Sequence, residues 1–310
     1  MDDNAGLLQL NKEQVSVKIE DFIRMGMANL KKNGAIVGMS GGLDSSLVLK
    51  FCVNSLGKDK VFALLMPERD SEPRHLKDAI NYCKELGIKY KVKKITLPLT
   101  AIGIYNLYPP TFFLKKSLIR KYVLEKEKDI TNRLGKDPFL INLEGSEDPE
   151  LAKGLAFYRI KHRLRSTILF YYSELMNYVY VGSANKSEWL TGFFVKYGDS
   201  IADIMPIADL YKTQLFELAR FHGLPDYIIN KQPSPDLIPG IIDEDMLGMS
   251  YERLDIILAG FERGLKNTEI AGIAGATEKD INRVSQITRM SARLREFPEL
   301  LKLDTKSGVK

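Results

Sequence analysis

The chain has 310 residues, 45% of them hydrophobic and 27% charged, and its formal net charge is +5. This length suits one large α/β domain with insertions or two compact domains, and the composition excludes disordered and fibrous classes. No apolar run reaches the ~18 residues of a membrane span, and the acidic start MDDNAGLLQL lacks a signal-peptide pattern, so we expect a cytoplasmic protein. The mild positive charge fits an anionic small-molecule substrate, and neither a membrane nor a nucleic acid is an expected partner.

Strands and helices alternate in the first third of the chain. Helical spacing of apolar residues predicts a helix over 12–32 that ends at Asn33–Gly34. The next predicted elements are a strand over 35–39, a helix from about Asp44 to Leu56, a strand over 61–66, a helix over 71–87 and a strand over 89–97. This alternation predicts an α/β fold with a doubly wound parallel sheet.

The alternation stops at an insertion over about 98–150. A basic helix is predicted over 114–130, and 135–150 reads as loop-rich. We interpret the insertion as a lid or as part of an oligomer interface; a solvated helix without a special role is the alternative. The later predicted elements are a helix over 151–177, a strand over 178–183, a helix over 209–225, a rigid loop over 232–240 and a helical C-terminal region over about 241–310. We expect one domain spanning 1–310.

Cysteine and histidine residues supply no evidence for a metal centre. Cys52 and Cys83 both lie in apolar helical patterns, and two scattered cysteines form neither a disulfide framework nor a zinc site. We therefore expect buried free thiols. The histidines at 75, 162 and 222 are scattered, and their spacing indicates no metal or catalytic role.

The stretch VGMSGGLDSS (37–46) joins the first predicted strand to a helix. A glycine- and serine-rich turn at a helix start forms an anion site, because backbone N–H groups and the positive end of the helix dipole converge there. Gly41 and Gly42 let the backbone close around an anion, and serine hydroxyls add donors. The loop lacks the lysine of the kinase and GTPase loop and the third glycine of a dinucleotide fingerprint.

Asp44 is the informative residue of this stretch. A carboxylate beside bound phosphate is repelled unless a cation lies between them, and Mg²⁺ bridging Asp44 to phosphate oxygens resolves this conflict. The alternative is that Asp44 merely caps the helix after a turn.

Two segments resemble known enzymes. SGGLDSS resembles the loop of the ATP-pyrophosphatases, which cleave ATP between the α and β phosphates and hold pyrophosphate in that loop. The segment 181–225, with its TGFFVKYGD, DIMP and LYK motifs, resembles the core of the ammonia-dependent NAD synthetases, and 233–255 resembles the segment that follows it. The similarity covers about 12–97 and 151–297 and implies an adenine-nucleotide hydrolase-like fold.

The resemblance also implies a set of site residues. Asp44 and Glu188 would bind Mg²⁺, and Asp44 and Lys212 would be catalytic. The residues expected to contact ATP are Gly38, Ser40, Gly41, Gly42, Asp44, Ser45, Ser46, Ser183, Lys212 and Ser234. The residues expected at the second substrate are Arg159, Arg163, Lys196, Asp203 and Arg293.

The implied reaction joins a carboxylate to ammonia. ATP would first adenylylate the carboxylate of deamido-NAD with release of pyrophosphate, and ammonia would then displace AMP to give NAD. The chain has no room for the nitrilase-like domain of glutamine-dependent members, so ammonia would come from solution or from a separate glutaminase. The resemblance also implies a homodimer.

Three departures from the family pattern leave alternatives open. Arg159 replaces an asparagine, Arg293 and Leu294 replace a His-Lys pair, and Ser200 and Ile201 replace glycines. All three fall on the acceptor side, so the same chemistry on a different carboxylate is one alternative. A non-catalytic nucleotide sensor is another, and a sulfur-transferring enzyme is disfavoured because the chain lacks a CxxC pair and a suitable catalytic cysteine.

Overall fold

A computed structural model describes residues 5–108, 110, 116–145, 147–234 and 241–296. Its central sheet has four parallel strands: β1 (Gly34–Gly38), β2 (Val61–Leu65), β3 (Lys89–Val92) and β4 (Tyr178–Val181). The strand order is β3-β2-β1-β4, so the chain changes its direction of growth between β1 and β4. Ligands of such sheets bind at this switch point, beyond the carboxyl ends of the strands.

Helices account for most of the rest of the described chain. In chain order they are α1 (Ala5–Leu8), α2 (Lys12–Asn29), α3 (Leu43–Leu56), α4 (Pro73–Glu85), α5 (Thr96–Ala101), α6 (Lys116–Leu134), α7 (Pro138–Glu144), α8 (Pro149–Met176), α9 (Lys186–Thr191), α10 (Lys212–Phe221), α11 (Asp226–Ile229), α12 (Asp243–Leu247), α13 (Tyr251–Glu262), α14 (Asn267–Ala274) and α15 (Glu278–Arg295). Among the described residues, no helix combines the length and apolar character that crossing a membrane requires.

Both faces of the sheet are buried, which confirms the predicted doubly wound architecture. Side chains alternate between the faces along each strand. On one face, Val37 and Ala63 belong to the cluster that α2, α3, α4 and α10 complete. On the other face, Ile36 and Leu64 pack in a cluster with residues of α5 and α8.

A separate apolar cluster joins the C-terminal helices to the insertion. Leu254 of α13 and Ile281 of α15 pack in the same cluster as Phe139 and Leu140 of α7. The insertion is therefore partly anchored in the C-terminal region, through the short helix at its end.

The structure corrects two predicted elements. The strand predicted over 89–97 ends at Val92, and α5 begins at Thr96, because Ile95 and Leu99 are spaced one helical turn apart and both are buried against the sheet. The loop-rich reading of 135–150 is also wrong, since α7 and the start of α8 lie there. Each of these helices has an aspartate N-cap followed by proline, which is a readable start signal. Of the predicted loop over 232–240, residues 235–240 lie outside the described ranges.

Candidate active site

The loop between β1 and α3 adopts a conformation that only glycine fits at one position. Gly41 has φ +80°, and a Cβ there would lie 2.4 Å from the carbonyl oxygen of His75. The Ser46 hydroxyl donates to the Gly42 carbonyl at 2.6 Å, and the Ser40 and Ser45 hydroxyl oxygens are 2.9 Å apart. Hydrogen bonds of the serine hydroxyls therefore stabilise the turn, and α3 begins directly after it. An anion site at a helix N-terminus has this arrangement.

A buried ion pair stands at the mouth of this loop. The Lys212 Nζ donates to both carboxylate oxygens of Asp44, at 2.7 and 2.8 Å. Lys212 is the first residue of α10 and is only 4% exposed. Asn185 also donates to Asp44, from Nδ2 to Oδ2 at 3.0 Å. The structure thus brings together the two residues expected to be catalytic.

Glu188 joins this pair through the same asparagine. Asn185 caps α9, because its Oδ1 accepts from the Glu188 N–H at 3.0 Å and its own N–H donates to Glu188 Oε2 at 3.1 Å. One side chain therefore bonds to Asp44 and orients the helix that carries Glu188. Sequence reasoning missed Asn185, although the capping-box pattern NKSE could have indicated it.

Three acids share one cation in this site. Burial raises the pKa of Glu188 well above its ordinary value, and the charge of Asp44 raises it further. Burial also raises the pKa of Asp243, to about 6, although Lys212 opposes the shift. Burial by itself lowers the pKa of Lys212, but the carboxylates of Asp44, Glu188 and Asp243 outweigh it, so the net pKa is raised. The excess of negative charge is what a cation would compensate.

Asp243 was missed by the sequence reasoning as a site residue. It is 5% exposed and accepts from the Tyr251 hydroxyl at 3.0 Å through Oδ2, while its buried Oδ1 has no hydrogen-bond partner among the described residues. Within the described ranges, no three His, Cys, Asp or Glu side chains are arranged to hold a metal ion. A Mg²⁺ ion here would therefore use fewer protein ligands together with phosphate oxygens, which is its usual coordination in nucleotide sites.

The ion pair borders a cavity of about 280 Å³ at the carboxyl ends of β1, β2 and β4. Nine of the residues expected to bind ATP or metal line it: Gly38, Ser40, Gly42, Asp44, Ser45, Ser183, Glu188, Lys212 and Ser234. The other two, Gly41 and Ser46, belong to the loop without lining the cavity. The Gly41 carbonyl instead accepts from Lys231 Nζ at 2.7 Å.

The four basic residues expected at the second substrate lie together outside this cavity. Each donates to a backbone carbonyl: Arg159 to Asn142 at 2.6 Å, Arg163 to Lys196 at 3.2 Å, Lys196 to Arg293 at 3.2 Å and Arg293 to Leu143 at 2.6 Å. These carbonyl groups are neutral, and none of the four side chains forms a salt bridge with another described residue. Burial lowers the pKa of Arg159, and the charge of Arg163 adds to that effect.

Asp203, the fifth residue expected at the second substrate, is placed differently. Its Oδ2 accepts from the Tyr180 N–H at 2.7 Å, and its own N–H donates to the Tyr180 carbonyl at 3.0 Å. These bonds fasten the segment after the TGFFVKYGD motif to β4.

Sequence reasoning missed several basic residues of the cavity wall. His75, His162, Arg165 and Lys231 all line it. His162 Nδ1 lies 3.1 Å from a carboxylate oxygen of Asp199. No local pattern marks these residues, because their positions depend on how α4, α8 and the segment after α11 pack around the sheet.

The sequence of this chain is similar to those of known NAD synthetases. The family model described as NAD synthase matches residues 15–108 and 140–298. The NH(3)-dependent NAD(+) synthetase of Thermotoga maritima is 47% identical over 274 residues, which cover 88% of this chain and 94% of that protein. The enzyme of the same name from Coprothermobacter proteolyticus is 40% identical over 293 residues, covering 92% and 96%.

Solved structures agree on the fold. The NH3-dependent NAD synthetase of Campylobacter jejuni, in complex with the nitrate ion, superposes with a TM-score of 0.67 at 27% identity, covering 94% of this chain and all of that one. The NMN synthetase of Francisella tularensis gives a TM-score of 0.69 at 23% identity over 95% of this chain and all of that one. At the latter identity, the likeness shows the fold alone.

Proposed function

The chain belongs to the NAD synthase family, and from that membership we propose that it uses ATP and ammonia to convert deamido-NAD into NAD. The observation that carries the proposal is the buried Asp44–Lys212 ion pair beside Glu188, at the mouth of the glycine- and serine-rich loop. A carboxylate is a poor electrophile, so activation as an acyl-adenylate with pyrophosphate as leaving group is the chemistry that such an anion site serves best.

The loop and Lys212 would act on the phosphates. N–H groups at the start of α3 and the hydroxyls of Ser40 and Ser45 would bind the departing pyrophosphate. Lys212 would leave Asp44 and contact the phosphate oxygens as a point charge. Asp44 and Glu188 would hold Mg²⁺, because both are carboxylates beside the loop; burial, and after it the charge of Asp44, raises the pKa of Glu188. When bound, Mg²⁺ would supply the positive charge that offsets phosphate repulsion.

The four basic residues around α7, α8 and α15 would hold the acceptor. Arg163 and Lys196 match family positions that bind the dinucleotide, and a group of four cationic side chains suits its phosphates. Arg159 and Arg293 are the departures from the family pattern. For this reason, amidation of a different nucleotide carboxylate is the second candidate, with the same ATP chemistry.

One assay tests the proposal and this alternative together. Purified protein is incubated with ATP, Mg²⁺, ammonia and deamido-NAD, and we expect equal amounts of NAD, AMP and pyrophosphate. Formation of AMP with nicotinate mononucleotide and not with deamido-NAD would keep the reaction class and change the substrate. Absence of AMP with every carboxylate would contradict the enzyme assignment and favour a nucleotide sensor.

We propose a homodimer as the working assembly. Support comes from the apolar residues on the outer side of α8, where Tyr171 is 61% and Leu175 is 65% exposed. Light scattering coupled to size exclusion measures the mass directly. A monomer of 35.1 kDa at micromolar concentration would contradict the proposal.

A further inference from the structure

Asp255 of α13 is a fully buried carboxylate outside the cavity that bonds to the starts of two helices of the site. Its Oδ1 accepts from the Ser187 hydroxyl of α9 at 2.5 Å. Its Oδ2 accepts from the N–H and the hydroxyl of Thr213 in α10, at 2.9 and 2.8 Å. Asp255 is 0% exposed, and none of these three donors comes from its own helix.

The direction of these bonds links Asp255 to Lys212. An ionised carboxylate only accepts, so the single proton of the Ser187 hydroxyl points at Asp255. The lone pairs of the same oxygen then face the Lys212 N–H, which lies 2.9 Å away. The backbone of the phosphate lysine is thus held by a two-step chain that ends on Asp255.

Asp255 also supplies what the first turn of α10 lacks. The first N–H groups of a helix have no partner within the helix. The preceding residue, Tyr211, directs its hydroxyl to Glu262 at 2.7 Å instead of capping the turn through that group. Asp255 satisfies the Thr213 N–H, and its negative charge at a helix N-terminus is electrostatically favourable.

The Asp255 carboxylate also helps to fix the position of Glu188. Ser187 immediately precedes Glu188 in α9, so the bond from Ser187 fixes α9 against α13 next to the expected metal ligand. Lys212 and Glu188 come from helices that are separate in sequence, and Asp255 contacts the beginning of both. Their relative placement therefore depends on one buried group.

We propose that Asp255 is a positioning residue for the adenylylation step, acting through Ser187 and the start of α10 on Lys212 and Glu188. This inference rests on the proposed function above. A misplacement of about 1 Å in a catalytic group lowers a rate by up to about 100-fold. The amidation step, in which ammonia attacks a preformed adenylate after pyrophosphate has left, does not use Lys212 in this way.

The test separates the two steps. Asp255→Asn keeps the shape of the side chain but replaces one accepting oxygen with a donating NH₂ group, so the three incoming bonds no longer fit. We expect kcat for ATP–pyrophosphate exchange in the presence of deamido-NAD to fall about 10–100-fold. The KM for deamido-NAD should stay within about twofold of wild type, and so should single-turnover amidation of the preformed adenylate chased with ammonia.

Two further variants keep the test decisive. Ser187→Ala retains Asp255 and its bonds to Thr213, but removes the link to Lys212 and the bond that fixes α9 against α13. It should therefore reproduce the exchange defect, and the double variant should be no worse than Asp255→Asn alone. Ser173→Ala is the matched control, because Ser173 is 0% exposed and loses one bond to the Tyr178 carbonyl away from the cavity. It should leave both steps unchanged.

Several results would overturn the proposed role of Asp255. Wild-type exchange in folded Asp255→Asn, or an equal loss in both half-reactions, would overturn the positioning role. If Asp255→Asn does not fold, an unchanged exchange rate in Ser187→Ala overturns it instead. If the wild-type protein itself shows no exchange, the proposed function fails and the inference fails with it.

Discussion

Replacing either member of the Asp44–Lys212 pair should impair the reaction, yet the two replacements should affect stability very differently. Lys212 is the cation among three acids, Asp44, Glu188 and Asp243, so these four side chains together carry a formal excess of two negative charges. Lys212→Met would raise this excess to three. Asp44→Asn would lower it to one and would leave Lys212 with the other two acids nearby.

The expected magnitudes follow from burial. Removing one partner of a buried ion pair costs about 3–5 kcal/mol, and Lys212 is 4% exposed. For a chain of 310 residues, an unfolding entropy of about 2.1 cal/mol/K per residue means that Tm falls by about 1.5 °C per kcal/mol. Lys212→Met should therefore lower Tm by roughly 5–8 °C. Asp44→Asn loses mainly one charged hydrogen-bond acceptor and leaves Lys212 with two acids nearby, so we expect a smaller cost of about 1.5–3 kcal/mol.

Thermal unfolding and ATP–pyrophosphate exchange are the two measurements. Both variants should lose at least about 100-fold in exchange rate, because each removes a charged group expected at the phosphates. Asp44→Asn should nevertheless keep its Tm within a few degrees of wild type. A sensor would respond differently, since Asp44→Asn would then weaken ATP binding without any turnover to lose.

The comparison of the two Tm values decides the electrostatic reasoning. If Asp44→Asn lowers Tm more than Lys212→Met, mutual repulsion of the acids is not the dominant interaction of the site. The attraction between Asp44 and Lys212 would then contribute more to the stability of the fold than the reduction by Lys212 of the repulsion among the three acids. That result would refute the reasoning even if both variants were inactive.

Three further predictions concern reactivity, the loop and the metal. Burial raises the pKa of the Cys52 and Cys83 thiols to about 12, so a thiol reagent at pH 8 should label neither in the native protein and both after denaturation; rapid native labelling would contradict this. Gly41→Ala should destabilise the fold by more than the ~1–3 kcal/mol of backbone strain, and should weaken ATP binding, since its Cβ would meet the His75 carbonyl oxygen. Gly57→Ala is the control: its φ is +79° and the space around it is open, so it should incur only the backbone strain and bind ATP normally. ATP with Mg²⁺ should raise Tm more than the two separate shifts combined, and simple additivity would argue against a shared site.

Local sequence predicted most strands and helices of the fold and, within the site, the loop around Gly41 and Asp44. The alternating strands and helices are visible in short windows, because burial on a sheet and on a helix face have different periods. The loop around Gly41 and Asp44 is equally local, since a strand, a turn and a helix start adjoin in the chain. The exception over 93–101 has a physical cause: a short apolar run fits a strand or a buried helix until its packing partners are known.

Basic residues of α8 show where local sequence stops being informative. Lys161 and Arg163 are two positions apart in one cationic stretch. Lys161 is 0% exposed and donates to Glu68 at 2.8 Å and to Asp70 at 3.0 Å, whereas Arg163 is exposed. The two residues differ in burial because Lys161 lies on the side of α8 that faces the segment after β2, and Arg163 does not.

The sequence by itself predicted an anion-binding loop, with an acid at the position where the kinase and GTPase loop carries a lysine. Only the tertiary structure decided how that acid is held. Lys212 reaches Asp44 across 168 positions of the chain, and Asp255 reaches Ser187 across 68. Contacts of this kind depend on strand order and helix packing, because a buried charge needs partners, and here those partners come from distant segments of the chain.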